Sequence, residues 1–406
     1  MKRVIVFMTF YIIIAIPAGC TVLQPMDTGD IITEAVSQAF ESSTAQTQTQ
    51  SPTETASSPS ITNTPVITGG PIPGPLGNQW YDWDNVGAYP GASVAQCGNR
   101  IAFQTLKRVD EHTYESYLSF ANPDGSNCVR TKIKDPSNLN YKDGWVYFVK
   151  NDSIYKVKTD GSGLKRIFKT KNSISGATEV FINELLLVEN RLYFFENIES
   201  KNNVKCIFEY INLDGNGPEI IEQFEHSKIG ENADLFDYLP SLFYDSGMLY
   251  YTNTDLVDSK FDLYQYDISA NKKDCIIKNL SAAYSCKIAV HGDKVYYNGK
   301  INAKEGLYAH NISTGKDEYF ITTGNDGIFD FAFFDRWLLM SSDEGLYCYD
   351  MQEGKLYLAG GLGSACNIVP TQKYVYFEEP DDYPFLWPVT FNDGKVMKGA
   401  CINSIK

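Results

Sequence analysis

The chain has 406 residues, a formal net charge of −15 and 14% aromatic residues, with 27 Tyr and 23 Phe but only four His. An acidic chain repels a phosphate backbone, and no Lys/Arg cluster stands out to offset the charge, so we expect no nucleic-acid partner. Tyr, Phe, Val and Ile favour β-strands, and the few histidines argue against a His-rich metal enzyme.

Residues 1–20, MKRVIVFMTFYIIIAIPAGC, are organised like the leader of an exported protein. Lys2 and Arg3 precede an apolar run, Val4 to Ile16, that is short for a membrane span. With small residues before Cys20, the segment resembles the lipobox of bacterial lipoproteins. The resemblance implies a signal peptide over 1–19, cleavage before Cys20 and lipid on its sulfur. Ordinary secretion and an uncleaved N-terminal anchor are the alternatives.

Residues 20–77 are predicted to be a lipidated cysteine followed by a disordered linker. Positions 41–75 are rich in Ser, Thr, Pro, Gln and Gly and contain almost no large apolar residue. Such a segment buries too little surface to offset its ordering entropy. A coil of about 50 residues spans roughly 40 Å, enough to separate a folded body from a membrane.

From residue 78 onward one pattern recurs: a turn, a strand with adjacent aromatics, a loop, a second strand and a Gly-containing turn. The clearest copy is DGWVYFV at 143–149, followed by SIYKVK at 153–158 and TDGSG at 159–163. The first aliphatic residue of each copy recurs every 37–57 residues, at Ile101, Val146, Leu192, Leu249, Val295, Leu338 and Val375. This spacing suits one four-stranded propeller blade. The sequence therefore predicts an all-β fold, a single seven-bladed β-propeller over 78–406, with six blades as the alternative.

These repeats resemble low-density-lipoprotein-receptor-type (YWTD-like) propellers and, more closely, the DUF5050 domains of bacterial lipoproteins. The residues that carry the resemblance are Val146-Tyr147-Phe148, Ile154 to Val157 and Asp160 to Lys165. The resemblance implies a surface-exposed binding or scaffolding module and names no ligand.

In a four-stranded blade, the connection between the second and third strands emerges on the same face as the connection to the next blade. Long connections are therefore predicted to lie on one face of the propeller. Within blades they are 104–116, 196–206, 253–262 and 378–385, and others lie between successive blades. Function usually resides on such loops. Aromatic residues beside carboxylates suit a sugar or a cationic peptide, although each could equally be a core ring or a solvated acid. The candidate ligand-binding residues are Phe236, Asp237, Tyr238, Phe329, Asp330, Asp381, Asp382 and Tyr383.

Two functions are consistent with the sequence. The first is a monomeric, non-catalytic propeller, lipid-anchored on the extracytoplasmic side of the cell membrane, that binds a protein, peptide or glycan. The second is a glycan-active hydrolase or lyase using a carboxylate pair drawn from Asp237, Asp330, Asp381 and Asp382. No hydrolase elbow, metal motif or dinucleotide loop is present, so we expect no cofactor, no metal and no catalytic residue beyond that alternative. Cysteine pairs 275–286 and 348–366 could form disulfides between adjacent strands.

Overall fold

The computed structural model describes residues 85–110, 113–170, 177–228, 239–255, 260–281, 287–301, 304–321, 328, 330–342, 345–359, 367–379, 385–392 and 395–398. They form 28 β-strands and no helix. The predicted signal peptide, Cys20 and the linker lie outside these residues, so the domain boundaries at 1–19 and 20–77 stay predictions.

The strands fall into four classes by their position in a sheet. The innermost strands are β1 (Val94–Cys97), β5 (Ser137–Lys142), β9 (Ala177–Val188), β13 (Leu242–Asp245), β17 (Ile288–His291), β21 (Asp330–Phe334) and β25 (Asn367–Pro370). The second strands are β2 (Arg100–Arg108), β6 (Trp145–Lys150), β10 (Arg191–Ser200), β14 (Met248–Asp255), β18 (Lys294–Ile301), β22 (Trp337–Ser342) and β26 (Val375–Glu379). The third strands are β3 (Tyr114–Ala121), β7 (Ser153–Lys158), β11 (Asn203–Asn212), β15 (Lys260–Asp267), β19 (Lys304–Asn311), β23 (Gly345–Asp350) and β27 (Phe385–Asn392). The outermost strands are β4 (Val129–Lys134), β8 (Lys165–Lys169), β12 (Glu219–Ser227), β16 (Lys272–Ser281), β20 (Lys316–Ile321), β24 (Lys355–Ala359) and β28 (Lys395–Lys398).

Each group of four consecutive strands makes one antiparallel sheet, and the described residues form seven such sheets, called blades 1–7 in chain order. Consecutive inner strands pack against each other around the ring, as β1 does with β5 and β5 with β9. Side chains on the inner and second strands are mostly buried, whereas the outermost strands are largely exposed. The predicted all-β propeller is confirmed.

Large aromatic side chains fill the space between blades, as the interface of blades 3 and 4 illustrates. Tyr251 of β14 packs on Phe208 of β11 with ring centroids 4.6 Å apart and on Tyr264 of β15 at 5.3 Å. Phe195 and Phe224 lie against the same ring at 6.3 and 6.2 Å. Inner strands are covered on both sides, so their sequences read as apolar runs rather than as alternating patterns.

Blade 7 closes the ring by side-chain contact with blade 1 rather than by sharing a strand. The Thr371 hydroxyl donates to the Gln96 amide oxygen at 3.3 Å, and the Tyr376 hydroxyl donates to the Pro123 carbonyl at 3.0 Å. Val369 and Tyr376 also join the hydrophobic cluster of blades 1 and 2. Closure of the ring covers the sheet edges that an open array would expose.

The segment 85–93 lies at the centre of the ring, between the inner strands of blades 2 and 3. Gly87 N donates to the Leu187 carbonyl at 2.9 Å, and the Gly87 carbonyl accepts from Tyr141 N at 3.1 Å. Both neighbouring strands bulge here, with φ of 50° at Asn138 and 53° at Glu184. The bulges open the two inner strands to the incoming backbone. We call this stretch the channel segment.

The Tyr89 side chain extends from the channel segment across the centre of the ring and reaches blades 4–6. Its ring is 2% exposed and meets the Phe243 ring of β13 edge-on, with centroids 5.8 Å apart. The Lys287 ammonium lies 5.8 Å from its centroid. Burial, and secondarily the charge of Asp330, raises the pKa of the Tyr89 hydroxyl. One side chain thus fills the axis between three blades.

The connections between strands emerge on two opposite faces of the propeller. The turns between first and second strands are two residues long in blades 1–6, such as Asp143-Gly144 with both φ values positive. We call this side the turn face and the opposite side the loop face. The prediction of a long loop at 196–206 is wrong, because β10 and β11 continue to Ser200 and Asn203 and leave a two-residue hairpin. The long connections lie between blades, as at 228–241.

A glycine on the turn face sets how closely blades 2 and 3 approach. Gly215 has a φ of 90°, and a Cβ there would lie 2.0 Å from the Ile167 carbonyl oxygen. Gly161 occupies the equivalent turn of blade 2, with a φ of 81° and only Thr131 Cγ2 near its Cβ position, at 3.5 Å.

We expect Gly215→Ala to lower the free energy of unfolding by about 3 kcal/mol, because backbone strain adds to a clash with backbone. The matched control Gly161→Ala should cost about 1 kcal/mol from its positive φ alone. Urea unfolding of both variants measures the difference. Equal losses would mean that the approach of Ile167 places no constraint on this turn.

Candidate functional site

Of the eight predicted ligand-binding residues, the structure describes Asp330 alone. Phe236, Asp237, Tyr238, Phe329, Asp381, Asp382 and Tyr383 lie outside the described residues and stay predictions, as does lipidation of Cys20.

Asp330 begins β21 at the loop-face end of the ring and is buried there. Its carboxylate pairs with the Lys287 ammonium and accepts hydrogen bonds from Phe331 N at 2.8 Å and Ile368 N at 2.6 Å. Burial raises its pKa, while Lys287 and the two backbone groups act in the opposite direction. Its partners belong to blades 5, 6 and 7.

This environment makes Asp330 a structural link between three blades. A ligand-binding or general-base carboxylate needs an oxygen that a substrate can reach, whereas both Asp330 oxygens already accept from protein donors. The structure therefore places Asp330 in a buried ion pair, and its predicted ligand-binding role stays a prediction.

A second set of polar side chains lies between blades 3 and 4, on the loop-face side of the aromatic rings that fill this interface. Along β14, Asn253 and Asp255 follow Tyr251 on the side that faces blade 3. On blade 3, His226 follows Phe224 on β12, and Asn197 follows Phe195 on β10. We call Asn197, His226, Asn253 and Asp255 the polar layer.

Its electrostatics favour a neutral imidazole. Burial lowers the pKa of His226, while the Asn253 side chain and the Asp255 carboxylate raise it to a smaller extent. Asn197 is fully buried and its amide donates to the Asn183 side chain. The layer therefore contains a fully buried amide at Asn197 and a half-buried amide, imidazole and carboxylate at Asn253, His226 and Asp255, next to a floor of aromatic rings.

Donors and acceptors over an aromatic floor suit a peptide or a sugar better than a metal ion. In the part of the chain that the structure describes, no group of three or more His, Cys, Asp or Glu side chains is placed to hold a metal. In the sequence, His226 of the polar layer precedes the 228–241 connection, which contains the predicted Phe236, Asp237 and Tyr238. Sequence reasoning missed it because the layer is assembled from three strands, and only Asn197 and Asn253, which interrupt aromatic strands, gave a signal.

Cys275 of β16 is exposed and Cys348 of β23 is buried, and both are free thiols. Cys286 and Cys366, the partners considered for them, lie outside the described residues. Cys348 is buried in β23, and burial raises the pKa of its thiol. It packs in the core as a small apolar side chain.

No family model and no curated protein matches the sequence. Solved structures do match in fold. The chain is a β-propeller. A puromycin hydrolase (S511A mutant) complexed with PGG aligns with a TM-score of 0.55 and 10% identity, over 76% of this chain and 53% of that one. A Mycobacterium tuberculosis puromycin-hydrolyzing peptidase gives 0.55 and 10%, over 84% and 57%. The β-propeller domain of the Trilobed protease from Pyrococcus furiosus gives 0.48 and 15%, over 79% and 100%.

The likeness concerns the fold alone, because the identities are 10–15%. The propeller spans about half the length of the two puromycin-hydrolysing proteins. None of the described residues belongs to a helix that could cross a bilayer.

Proposed function

We propose that this protein is a lipid-anchored, extracytoplasmic β-propeller that acts as a non-catalytic binding or scaffolding module for a protein, peptide or glycan. The observation that carries the proposal is the polar layer over the aromatic floor of blades 3 and 4, at the loop face. The leader sequence and Cys20 support the location outside the cytoplasm.

Peptidase activity is not part of the proposal. The similar peptidases extend well beyond the propeller, and their likeness to this chain is one of fold. With Asp330 committed to Lys287 and two backbone amides, no described residue favours the glycan-hydrolase alternative.

Glycan and peptide arrays probed with residues 21–406 test the binding function. We expect a defined set of probes to be bound, and Asp255→Ala and Asn253→Ala to weaken that binding at least about tenfold, since each removes a polar contact. Asp274→Ala, an exposed carboxylate of β16, is the matched control and should change nothing.

Two outcomes would contradict this function: no bound probe, or probes bound equally by all three variants. Turnover of a bound glycan or peptide would replace the non-catalytic interpretation with an enzymatic one. Metabolic palmitate labelling of wild type and Cys20→Ala tests the anchor separately, and equal labelling would remove it.

A further inference from the structure

Basic residues concentrate on the outer part of blades 1 and 2. Residues 129–169 carry ten Lys or Arg and four Asp or Glu, whereas the whole chain has 35 and 50. Most of these cations lie on β4, β7 and β8. The sequence shows no continuous basic cluster because strand spacing spreads the cations, and the sheets bring them together.

Several of these cations are not engaged in close ion pairs within the described residues. Lys158, Lys165 and Arg166 form no ion pair with any described carboxylate. Lys156 stands directly opposite Lys165 on the neighbouring strand, an arrangement of like charges that destabilises a sheet. Burial, and secondarily the charge of Lys165, lowers the pKa of Lys156, while the Asp214 carboxylate acts in the opposite direction. A surface that keeps an excess of like charges together is suited to an anionic partner.

Apolar side chains accompany the charges. Val129 is 57% exposed and immediately precedes Arg130, and Leu164 is 50% exposed and immediately precedes Lys165. Both stand at the turn-face end of an outermost strand. The Trp145 ring lies under two ammonium groups, 5.1 Å from Lys156 Nζ and 5.6 Å from Lys158 Nζ. Exposed aliphatic side chains and a half-buried Trp ring among lysines suit a lipid interface better than a soluble polyanion.

Asn85, the first residue that the structure describes, lies on the same face of the propeller as this surface. The Asn85 carbonyl accepts from Glu189 N at 2.7 Å, in the turn between β9 and β10 on the turn face. Lys142 of blade 2 donates to the Glu189 carbonyl. Asn85 and the exposed Leu164 are therefore both on the turn face.

We infer that the rim formed by Val129, Arg130, Lys158, Leu164, Lys165 and Arg166 docks on a membrane surface that contains anionic lipid. The inference rests on the proposed lipid anchor for the presence of a membrane. Cationic side chains meet the headgroups, Val129 and Leu164 enter the interface, and the loop face is directed away from the bilayer.

Vesicle sedimentation with residues 21–406, which carry no acyl chain, tests this surface independently of Cys20. We expect binding to equimolar phosphatidylglycerol and phosphatidylcholine, weakened by salt, and little binding to phosphatidylcholine alone. The double variant Lys165→Glu/Arg166→Glu should bind at least about 25-fold more weakly, about fivefold for each cation. Leu164→Ser should bind about threefold more weakly.

Matched controls lie elsewhere on outermost strands. Lys316→Glu reverses one cation at the start of β20, against two in the double variant, and Ile220→Ser removes a similarly exposed aliphatic side chain next to Glu219. Neither should alter binding. Equal binding to both vesicle types, no binding to either, or equal effects of the controls would overturn the inference. So would tight binding of soluble polyphosphate that Leu164→Ser leaves unchanged, because charge alone would then explain the surface. Vesicle binding without palmitate on Cys20 would reject the anchor and retain the docking surface.

Discussion

Replacing Tyr89 by alanine is expected to lower the free energy of unfolding by about 3–5 kcal/mol, the usual cost of removing a large buried ring. The Tyr89 side chain is 2% exposed, packs against Phe243 and Lys287, and lies close enough to Asp330 to feel its charge. Its removal therefore leaves a cavity bounded by three blades. Inner strands on a ring cannot move inward independently to fill it. Urea unfolding followed by tryptophan fluorescence measures the effect.

Tyr89→Phe is the matched control, since it keeps the ring and removes the hydroxyl. It should cost no more than about 1.5 kcal/mol. Similar losses for the two variants would assign the stabilisation to the hydroxyl. An alanine variant as stable as wild type would show that the channel segment contributes nothing to the ring.

Asp330→Ala is expected to cost about 3 kcal/mol or more. It removes the acceptor of Phe331 N and Ile368 N and leaves the Lys287 ammonium without its carboxylate. Breaking a buried pair by removing one partner is strongly destabilising, although Lys287 can regain some hydration because it is partly exposed. Urea unfolding of the full chain measures the loss.

A double-mutant cycle with Lys287→Met separates the ion pair from the backbone hydrogen bonds. We expect a coupling energy of at least about 1 kcal/mol between the two side chains. Asp274→Ala, which breaks an exposed pair with Lys272, should cost less than about 0.5 kcal/mol. Additive losses at 330 and 287 would show that only the backbone contacts of Asp330 matter.

The fold could be predicted because each blade repeats the same short sequence pattern of turn residues and apolar strand residues. In β6, the apolar run Val146 to Val149 follows an Asp-Gly turn and precedes the next strand, β7. All of these features lie close together in the sequence. The seven anchor residues all lie in second strands, as the spacing predicted. Periodicity and turn chemistry are local, so one sequence suffices to detect them.

The candidate site could be predicted only in part. Strand parity predicts binding residues on the long connections of one face, both within and between blades, but whether a given acid is free or paired depends on residues far along the chain. Asp330 is 43 residues from Lys287 and 38 from Ile368. The channel segment was not predicted at all, because Tyr89 in a loop-like sequence gives no periodic signal and its burial arises from contacts with blades 4–6, far along the chain.

The position of the channel segment also decides how the protein would respond to a pulling force on its N-terminal chain. Tension arriving at Asn85 first loads the hydrogen bonds to Glu189, Leu187 and Tyr141, which clamp the segment between two inner strands. Blade 1 follows only after these contacts and the Tyr89 ring. The channel segment must therefore detach before the pulling force reaches blade 1, and it protects the first sheet from mechanical unfolding.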